Sequence, residues 1–376
     1  MFINELEGLK MEQKILLTPG PLNTSMVVKE AMLHDLGTRD GEYQNMVEGL
    51  RKKLLQLAHV DGETHSVVFL QGSGTYGVES VLDSAVGKTG KVLILSNGAY
   101  GERMEQICKA HGIAYQIQAF SKLEALPVEQ LEPYMEDETI THVAFVHCET
   151  TAGVLNDVET ILKQIHKHKK GSIVDAMSSF GSMDMDLGKL NMDFLITSSN
   201  KCLHGVPGVA VIYGKKTAFE ACKGNADNLT LDLYQQWEEM ETKGGSFRFT
   251  SPTHVLLALN EAVKELEMSG GICARHEHYT FLQRKIQDAM EELGFQAPVA
   301  RKFQAPVITT YFIPQWMDFA HFYDWMKDRD ILLYSGKLPG YDAFRIGNIG
   351  ELTVSDIERV LDEIRIYVHT YAHKEV

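Results

Sequence analysis

Short apolar runs alternate with helix-like segments between about residue 67 and residue 216. The runs are VVFLQ, KVLILS, AYQIQAF, THVAFVH, GSIVDA, DFLITSS and VAVIYG. Alternation of this kind is typical of crossover units on a mainly parallel sheet that helices cover on both faces. We therefore expect an α/β fold whose large lobe is built on a mainly parallel seven-stranded sheet.

The pattern changes after a long helical segment that closes with a pair of glycines. APVITTYFI, a helix, ILLYSG, FRIGNIG and a last helix follow, which predicts a smaller α+β lobe. The last helix has Ser355 and Glu358 at the spacing of a capping box. We predict an N-terminal arm over residues 1–20, a large domain over 21–265 and a small C-terminal domain over 266–376, with no flexible linker.

Charge and composition exclude several classes of partner. The 376 residues include 36 Lys and Arg against 51 Asp and Glu, a net charge of −15, which argues against nucleic acid and anionic membranes. No apolar stretch approaches the roughly 20 residues of a membrane span, and the acidic N-terminus does not resemble a signal peptide. We expect a cytoplasmic protein with no membrane partner, no metal site and reduced cysteines.

A glycine-rich loop follows the first strong strand pattern. Residues 72–77 read GSGTYG, the G-x-G-x-x-G spacing of a dinucleotide-binding turn. That fold also needs an acidic residue about 20 positions further on, at the end of the next strand. Here the next strand, KVLILS, ends in Ser-Asn-Gly. The loop therefore predicts a phosphate site better than an NAD site, with a helix opening at Tyr76 and Gly77 as a packing position.

Two further residues lie at predicted strand ends, where α/β sheets collect their ligands. Asp175 ends GSIVDA, and Lys201 follows DFLITSS. A phosphate loop, a strand-end aspartate and a strand-end lysine are the parts that pyridoxal phosphate requires: an anchor, a partner for the pyridine nitrogen and a Schiff-base amine. Each alone has a plainer interpretation, as a tight turn, a helix cap or a solvated lysine. Together, and in this order, they predict a pyridoxal phosphate site.

Motifs along most of the chain resemble one family. LLTPGPLNTS, RDGEYQ, LQGSGTYGVES, NGAYGERM, HCETTAGVLND, VDAMSSFG, SSNKCLHGVPG, FTSPTHV and FRIGNIGE resemble the class V, fold-type I aminotransferases that use pyridoxal phosphate. The likeness is greatest to members that pass the amino group of 2-aminoethylphosphonate to pyruvate, giving phosphonoacetaldehyde and L-alanine. It also implies a homodimer with shared active sites.

Other functions remain open at this point. Within the family, the alternative is another class V transaminase, such as an alanine–glyoxylate or serine–pyruvate enzyme. Cysteine desulfurization would need a nucleophilic cysteine on a loop of the small lobe, and Cys273 lies instead on a helical pattern. An NAD-dependent oxidoreductase and a catalytically silent binding protein with the same fold are the alternatives from other classes.

The resemblance implies a role for each residue that matches a family motif. Lys201 would form the Schiff base and carry a proton between substrate and cofactor, and Asp175 would pair with the pyridine nitrogen. Arg345 would bind the acidic group of the substrate, a role that suits a planar bidentate donor. The remaining implied cofactor contacts are Ser73, Gly74 and Thr75 at the phosphate, Tyr100 on the ring face, Thr150 near the ring hydroxyl, Asn200 beside the lysine, and Thr250 at the phosphate of the neighbouring subunit.

Overall fold

The computed structural model of the chain describes residues 13–336, 338 and 340–372. The first twelve residues of the predicted N-terminal arm and the last four of the predicted small domain lie outside these ranges.

The described residues form fourteen strands and thirteen α-helices. The strands are β1 (Ile15–Leu16), β2 (His65–Gln71), β3 (Lys91–Ser96), β4 (Ala114–Ala119), β5 (His142–Val146), β6 (Cys148–Glu149), β7 (Val154–Leu155), β8 (Gly171–Asp175), β9 (Phe194–Ser198), β10 (Val209–Lys215), β11 (Ile308–Phe312), β12 (Ile331–Leu332), β13 (Tyr334–Ser335) and β14 (Ala343–Gly347). The helices are α1 (Met26–Ala31), α2 (Gly41–Leu57), α3 (Gly74–Val81), α4 (Ala99–His111), α5 (Glu132–Met135), α6 (Val158–Lys167), α7 (Leu187–Leu190), α8 (Lys216–Ala221), α9 (Leu233–Thr242), α10 (Thr253–Met268), α11 (Gly271–Glu292), α12 (Phe319–Lys327) and α13 (Val354–Tyr371).

The main sheet has seven strands in the order β2-β10-β9-β8-β5-β3-β4. Only β10 runs antiparallel to its neighbours, β2 and β9, and the other pairs are parallel. The predicted mainly parallel seven-stranded sheet is therefore confirmed. Consecutive residues of β3, from Val92 to Leu95, are all buried, and because their side chains alternate between faces, both faces of the sheet are covered.

The strand directions decide where the predicted functional residues meet. Because β10 is antiparallel to both β2 and β9, strand β2 runs in the same direction as β9, β8 and β3. Their carboxyl ends therefore lie at one edge of the sheet. Asp175, the last residue of β8, pairs in register with Ile196 of β9, so Lys201 follows the neighbouring strand.

A second core surrounds the three-stranded antiparallel sheet β11-β14-β13. Phe344 of β14 lies at its centre, with its ring centroid 5.8 Å from Tyr311 and 5.7 Å from Phe322. Ile15 and Leu17 join the same core, because β1 pairs in parallel with β12. The start of the described chain thus packs with its C-terminal part.

The last helix begins two residues earlier than the predicted capping box implies. Thr353 is its N-cap and exchanges hydrogen bonds with Asp356, so the box predicted at Ser355 and Glu358 is wrong. Thr353 with Asp356 and Ser355 with Glu358 both have the three-residue spacing of a capping box. The observed frame places Leu352 immediately before the N-cap and Ile357 four residues after it, the positions of an apolar staple, and both residues belong to the second core.

Candidate active site

A cavity of about 190 Å³ lies at the carboxyl-end edge of the main sheet. Seven of the predicted site residues line it: Ser73, Gly74, Thr75, Tyr100, Asp175, Asn200 and Lys201. Five further residues complete the wall: Gly20, Val78, Arg103, Met177 and Ser198. Segments that are far apart in the chain therefore meet around one space.

The glycine-rich loop ends in the first turn of α3. Ser73 is the N-cap of this helix, and its hydroxyl makes no capping hydrogen bond. The helix starts at Gly74, so the predicted opening at Tyr76 is wrong by two residues. The N–H groups of Gly74 and Thr75 have no acceptor within the helix, because a helix start leaves its first donors free. These donors and the positive helix end are suited to a phosphate.

Two glycines of this loop are required for different reasons. Gly72 has a φ of +139°, and a Cβ there would lie 2.7 Å from the Tyr76 ring. A Cβ on Gly77 would lie 2.9 Å from Cγ2 of Ile196 and 3.0 Å from Cβ of Ala210. Gly72 thus permits the turn, and Gly77 lets α3 pack closely against β9 and β10, in agreement with the packing role predicted for it.

Asp175 presents a buried carboxylate to the cavity. Its Oδ1 accepts a hydrogen bond of 2.9 Å from the Met177 N–H, and its Oδ2 has no hydrogen bond to any described residue. Burial raises the pKa of Asp175, while the Met177 N–H and the charges of Lys201 and Arg103 act in the opposite direction. A protonated pyridine nitrogen would donate the hydrogen bond that Oδ2 lacks among the described residues.

The Lys201 amine lies between the loop after β8 and the ring of Tyr100. Its Nζ donates a 2.9 Å hydrogen bond to Oγ of Ser178 and lies 5.7 Å from the centroid of the Tyr100 ring. Ser178 is buried, and Asn200 lines the same cavity beside the lysine. The amine is therefore held inside the cavity by a neutral hydroxyl rather than by a carboxylate.

Arg345 and Thr150 lie next to this cavity without lining it. Nη1 of Arg345 donates to the Thr150 carbonyl at 2.9 Å, and Nη2 donates to the Ser335 carbonyl at 3.2 Å. Nε of Arg345 and Oγ1 of Thr150 are buried and have no hydrogen-bond partner among the described residues. Arg345 also lines a hollow of about 570 Å³ between α12 and β13. Buried polar atoms of this kind are available to a ligand.

Thr250 does not line the cavity that contains Lys201. It is exposed and lies in a surface groove with Tyr76 and Phe249, whose side chains are 49% and 51% exposed. Within its own chain Thr250 therefore has no access to the cavity, and its predicted role needs a second subunit.

Sequence reasoning missed two charged residues at this site. Arg103 donates from Nη1 to Oγ1 of Thr75 at 3.1 Å, and its guanidinium carbon lies 4.9 Å from the centroid of the Tyr100 ring. Its position one helical turn after Tyr100 could have identified it. Glu149 is fully buried, and its carboxylate accepts from the N–H groups of Tyr100 and Thr151 at 3.1 and 3.0 Å. Nothing in the sequence indicates this pairing of β6 with the start of α4, two segments that are distant in the chain.

Metal ligands and membrane spans are not features of the described residues. Within residues 13–336, 338 and 340–372, no three or more His, Cys, Asp or Glu side chains form a group that could hold a metal ion. No helix in the same ranges is both long enough and apolar enough to span a bilayer. All five cysteines are free thiols. The cytoplasmic location stays a prediction.

The pH dependence of stability tests the environment of Asp175. Because burial raises its pKa, the folded state binds this proton more tightly than the unfolded state. The contribution of Asp175 to the free energy of unfolding therefore falls as the pH rises from 3.8, the ordinary pKa of aspartate, through the raised pKa of Asp175. We expect cofactor-free Asp175→Asn to be more stable than wild type at neutral pH, by about 1–3 kcal/mol, with the difference shrinking in acid.

The measurement is the midpoint of urea unfolding over a pH series. Asp186→Asn is the control of opposite sign, because hydrogen bonds from Lys189 lower the pKa of Asp186. The substitution should therefore lower the free energy of unfolding at pH values above the ordinary pKa of aspartate. Parallel pH profiles for wild type and Asp175→Asn would contradict the prediction.

Comparison with known proteins supplies the family. The model of the family described as Aminotransferase class-V matches residues 26–338. The 2-aminoethylphosphonate–pyruvate transaminase of Bacillus cereus is 44% identical over 352 residues, 93% of this chain and 96% of that protein. The enzyme of the same name from Bacteroides fragilis is 45% identical over 358 residues, 94% of this chain and 99% of the relative.

The fold agrees with solved structures as well. The crystal structure of ureidoglycine–glyoxylate aminotransferase from Bacillus subtilis superposes with a TM-score of 0.90 at 20% identity, covering 98% of this chain and 96% of that one. The predicted fold class is thereby confirmed. The chain belongs to the class V aminotransferases, enzymes of fold type I that use pyridoxal phosphate.

Proposed function

We propose that this enzyme transfers the amino group of 2-aminoethylphosphonate to pyruvate, forming phosphonoacetaldehyde and L-alanine. The observation that carries the proposal is that Lys201, Asp175 and the loop of Ser73, Gly74 and Thr75 line one cavity. The choice of substrates is supported by relatives that are 44% and 45% identical over more than nine-tenths of the chain and carry this activity in their names.

The residues of the cavity fit pyridoxal phosphate. The uncapped Ser73 hydroxyl and the start of α3 suit its phosphate, Oδ2 of Asp175 suits its ring nitrogen, and Tyr100 offers a face for stacking. When bound, the cofactor supplies an electron sink for the carbon that carries the amino group. Lys201 would hold it covalently, with Asn200 and Thr150 as further polar contacts.

The chain's own contribution to the reaction is proton transfer and anion binding. Lys201, once its amine is free, takes a proton from the substrate carbon and returns it to the cofactor side, while Ser178 holds the amine in the cavity. Arg345 binds the phosphonate of the donor in one half-reaction and the carboxylate of pyruvate in the other. Hydrogen bonds to the Thr150 and Ser335 carbonyls fix the guanidinium, and its Nε, which has no partner among the described residues, is available to the anion.

A panel of amino donors with pyruvate tests the proposed reaction. We expect 2-aminoethylphosphonate to yield alanine with the cofactor-loaded enzyme, and Lys201→Ala to lower kcat by about 10²–10⁴-fold or more, because the proton carrier is lost. Exposed Lys189→Ala is the matched control and should retain full activity. Alanine formed from serine but not from 2-aminoethylphosphonate would reject the proposal in favour of another class V transaminase.

Substitution of Arg345 tests the shared anion site. Loss of a charge-assisted hydrogen bond in Arg345→Gln should raise KM for both 2-aminoethylphosphonate and pyruvate by about 10- to 100-fold. The KM values of Arg345→Lys should lie between those of wild type and Arg345→Gln, because lysine keeps the charge and loses the bidentate geometry of the guanidinium. Exposed Arg365→Gln on α13 is the control. A rise in KM for only one substrate would mean that the two anions have separate sites.

We further propose that the enzyme is a homodimer with shared active sites, in which Thr250 contacts the phosphate held by the partner subunit. The groove that contains Thr250 supports this, because Tyr76, Phe249 and nearby Leu229 are exposed apolar side chains close to the phosphate loop. Apolar side chains grouped on a surface are typical of protein interfaces.

The assembly is tested by charge substitution in this groove. We expect wild type to sediment at twice the chain mass of 42.2 kDa. Phe249→Asp should give monomers with weakened cofactor binding, because a charge buried at an interface without a partner is costly. Ile366→Asp, at an equally exposed apolar position on α13, should stay dimeric. Wild type at the mass of one chain would refute the dimer.

A further inference from the structure

The charge balance of the cavity leaves one cation without a partner. Among the twelve described residues that line it, only Lys201 and Arg103 are cationic. Lys201 is used for covalent attachment, and a phosphate monoester carries nearly two negative charges at neutral pH. In a chain with a net charge of −15, such an anion needs a local positive group.

We propose that Arg103 supplies the charge that pairs with the phosphate of the cofactor. The inference rests on the proposed function only in requiring pyridoxal phosphate in this cavity. Among the described residues, no carboxylate forms an ion pair with Arg103, and its one hydrogen bond is to Oγ1 of Thr75. Its remaining guanidinium donors are available to a ligand.

The position of Arg103 is fixed from two sides. Its Nη1 donates to Thr75, a residue of the phosphate loop, and its guanidinium carbon lies 4.9 Å from the centroid of the Tyr100 ring. Residues three apart on a helix are neighbours, so Tyr100 and Arg103 share one face of α4. The guanidinium over the Tyr100 ring is thus oriented toward the start of α3, where the N–H groups of Gly74 and Thr75 have no acceptor within the helix.

Arg103 also lies within electrostatic range of Asp175, so a role at the ring nitrogen has to be separated from a role at the phosphate. The separation is chemical, because pyridoxal has the same ring and aldehyde as the cofactor and lacks the phosphate. A residue that pairs with the phosphate discriminates between the two ligands. One that acts through Asp175 affects both equally.

The experiment measures the Kd of pyridoxal phosphate and of pyridoxal for the cofactor-free full-length enzyme by absorbance titration. Arg103→Gln should weaken binding of pyridoxal phosphate by about 10- to 100-fold and change that of pyridoxal by less than about twofold. Inorganic phosphate should compete less well in the variant. Lys109→Gln removes a charge from the exposed side of the same helix and should alter neither Kd.

Three results would overturn the inference. Equal weakening of pyridoxal phosphate and pyridoxal binding would assign Arg103 to the ring side of the cavity. Unchanged Kd values with a raised KM for the amino donor would assign Arg103 to substrate binding. Unchanged Kd and KM values would leave Arg103 without a role in binding. Arg103→Lys, which keeps the charge, should recover part of the discrimination and serves if the Gln variant does not fold. Tight cofactor binding without alanine formation would refute the proposed reaction and leave this inference standing.

Discussion

The common direction of β2, β3, β8 and β9 is the constraint on which the site depends. Parallel strands place their carboxyl ends at one edge, so residues that follow different strands meet there. Asp175 and Ile196 pair in register, and this pairing sets the distance between the aspartate and the lysine that follows β9. Helix α3, which follows the glycine-rich loop, is held to the same edge by the close approach of Gly77 to β9 and β10.

The placement of two arginines favours anion binding by this acidic chain. The cavity is lined by Arg103 and the hollow beside α12 by Arg345, and neither guanidinium has a carboxylate partner among the described residues. Burial lowers the pKa of Arg345, because a charged guanidinium without solvent is less stable. Pairing with a bound anion would offset that cost, which makes binding and local stability depend on each other.

A short segment that contains Glu149 and Thr150 connects the cavity lined by Lys201 with the hollow lined by Arg345. Glu149 accepts from the N–H of Tyr100 at the start of α4, and the next residue, Thr150, presents its carbonyl to Arg345. Burial raises the pKa of Glu149, and hydrogen bonds from Thr151 and Tyr100 oppose that rise. The segment ties the aromatic ring of the cofactor cavity to the arginine of the second hollow, so the two are positioned together.

Sequence patterns determined the sheet and the positions of the glycine-rich loop, Asp175 and Lys201 after their strands, because strand periodicity and strand-end position are local properties of the chain. Tertiary structure decided what no local pattern contains. Residues 15 to 17 pack with the C-terminal core because β1 pairs with β12, and the frame of α13 agrees with the burial of Leu352 and Ile357 in that core. The surroundings of Arg103, Glu149 and Arg345 likewise consist of residues that only folding brings together. Burial and hydrogen-bond partners are set by tertiary packing and not by neighbours in the sequence.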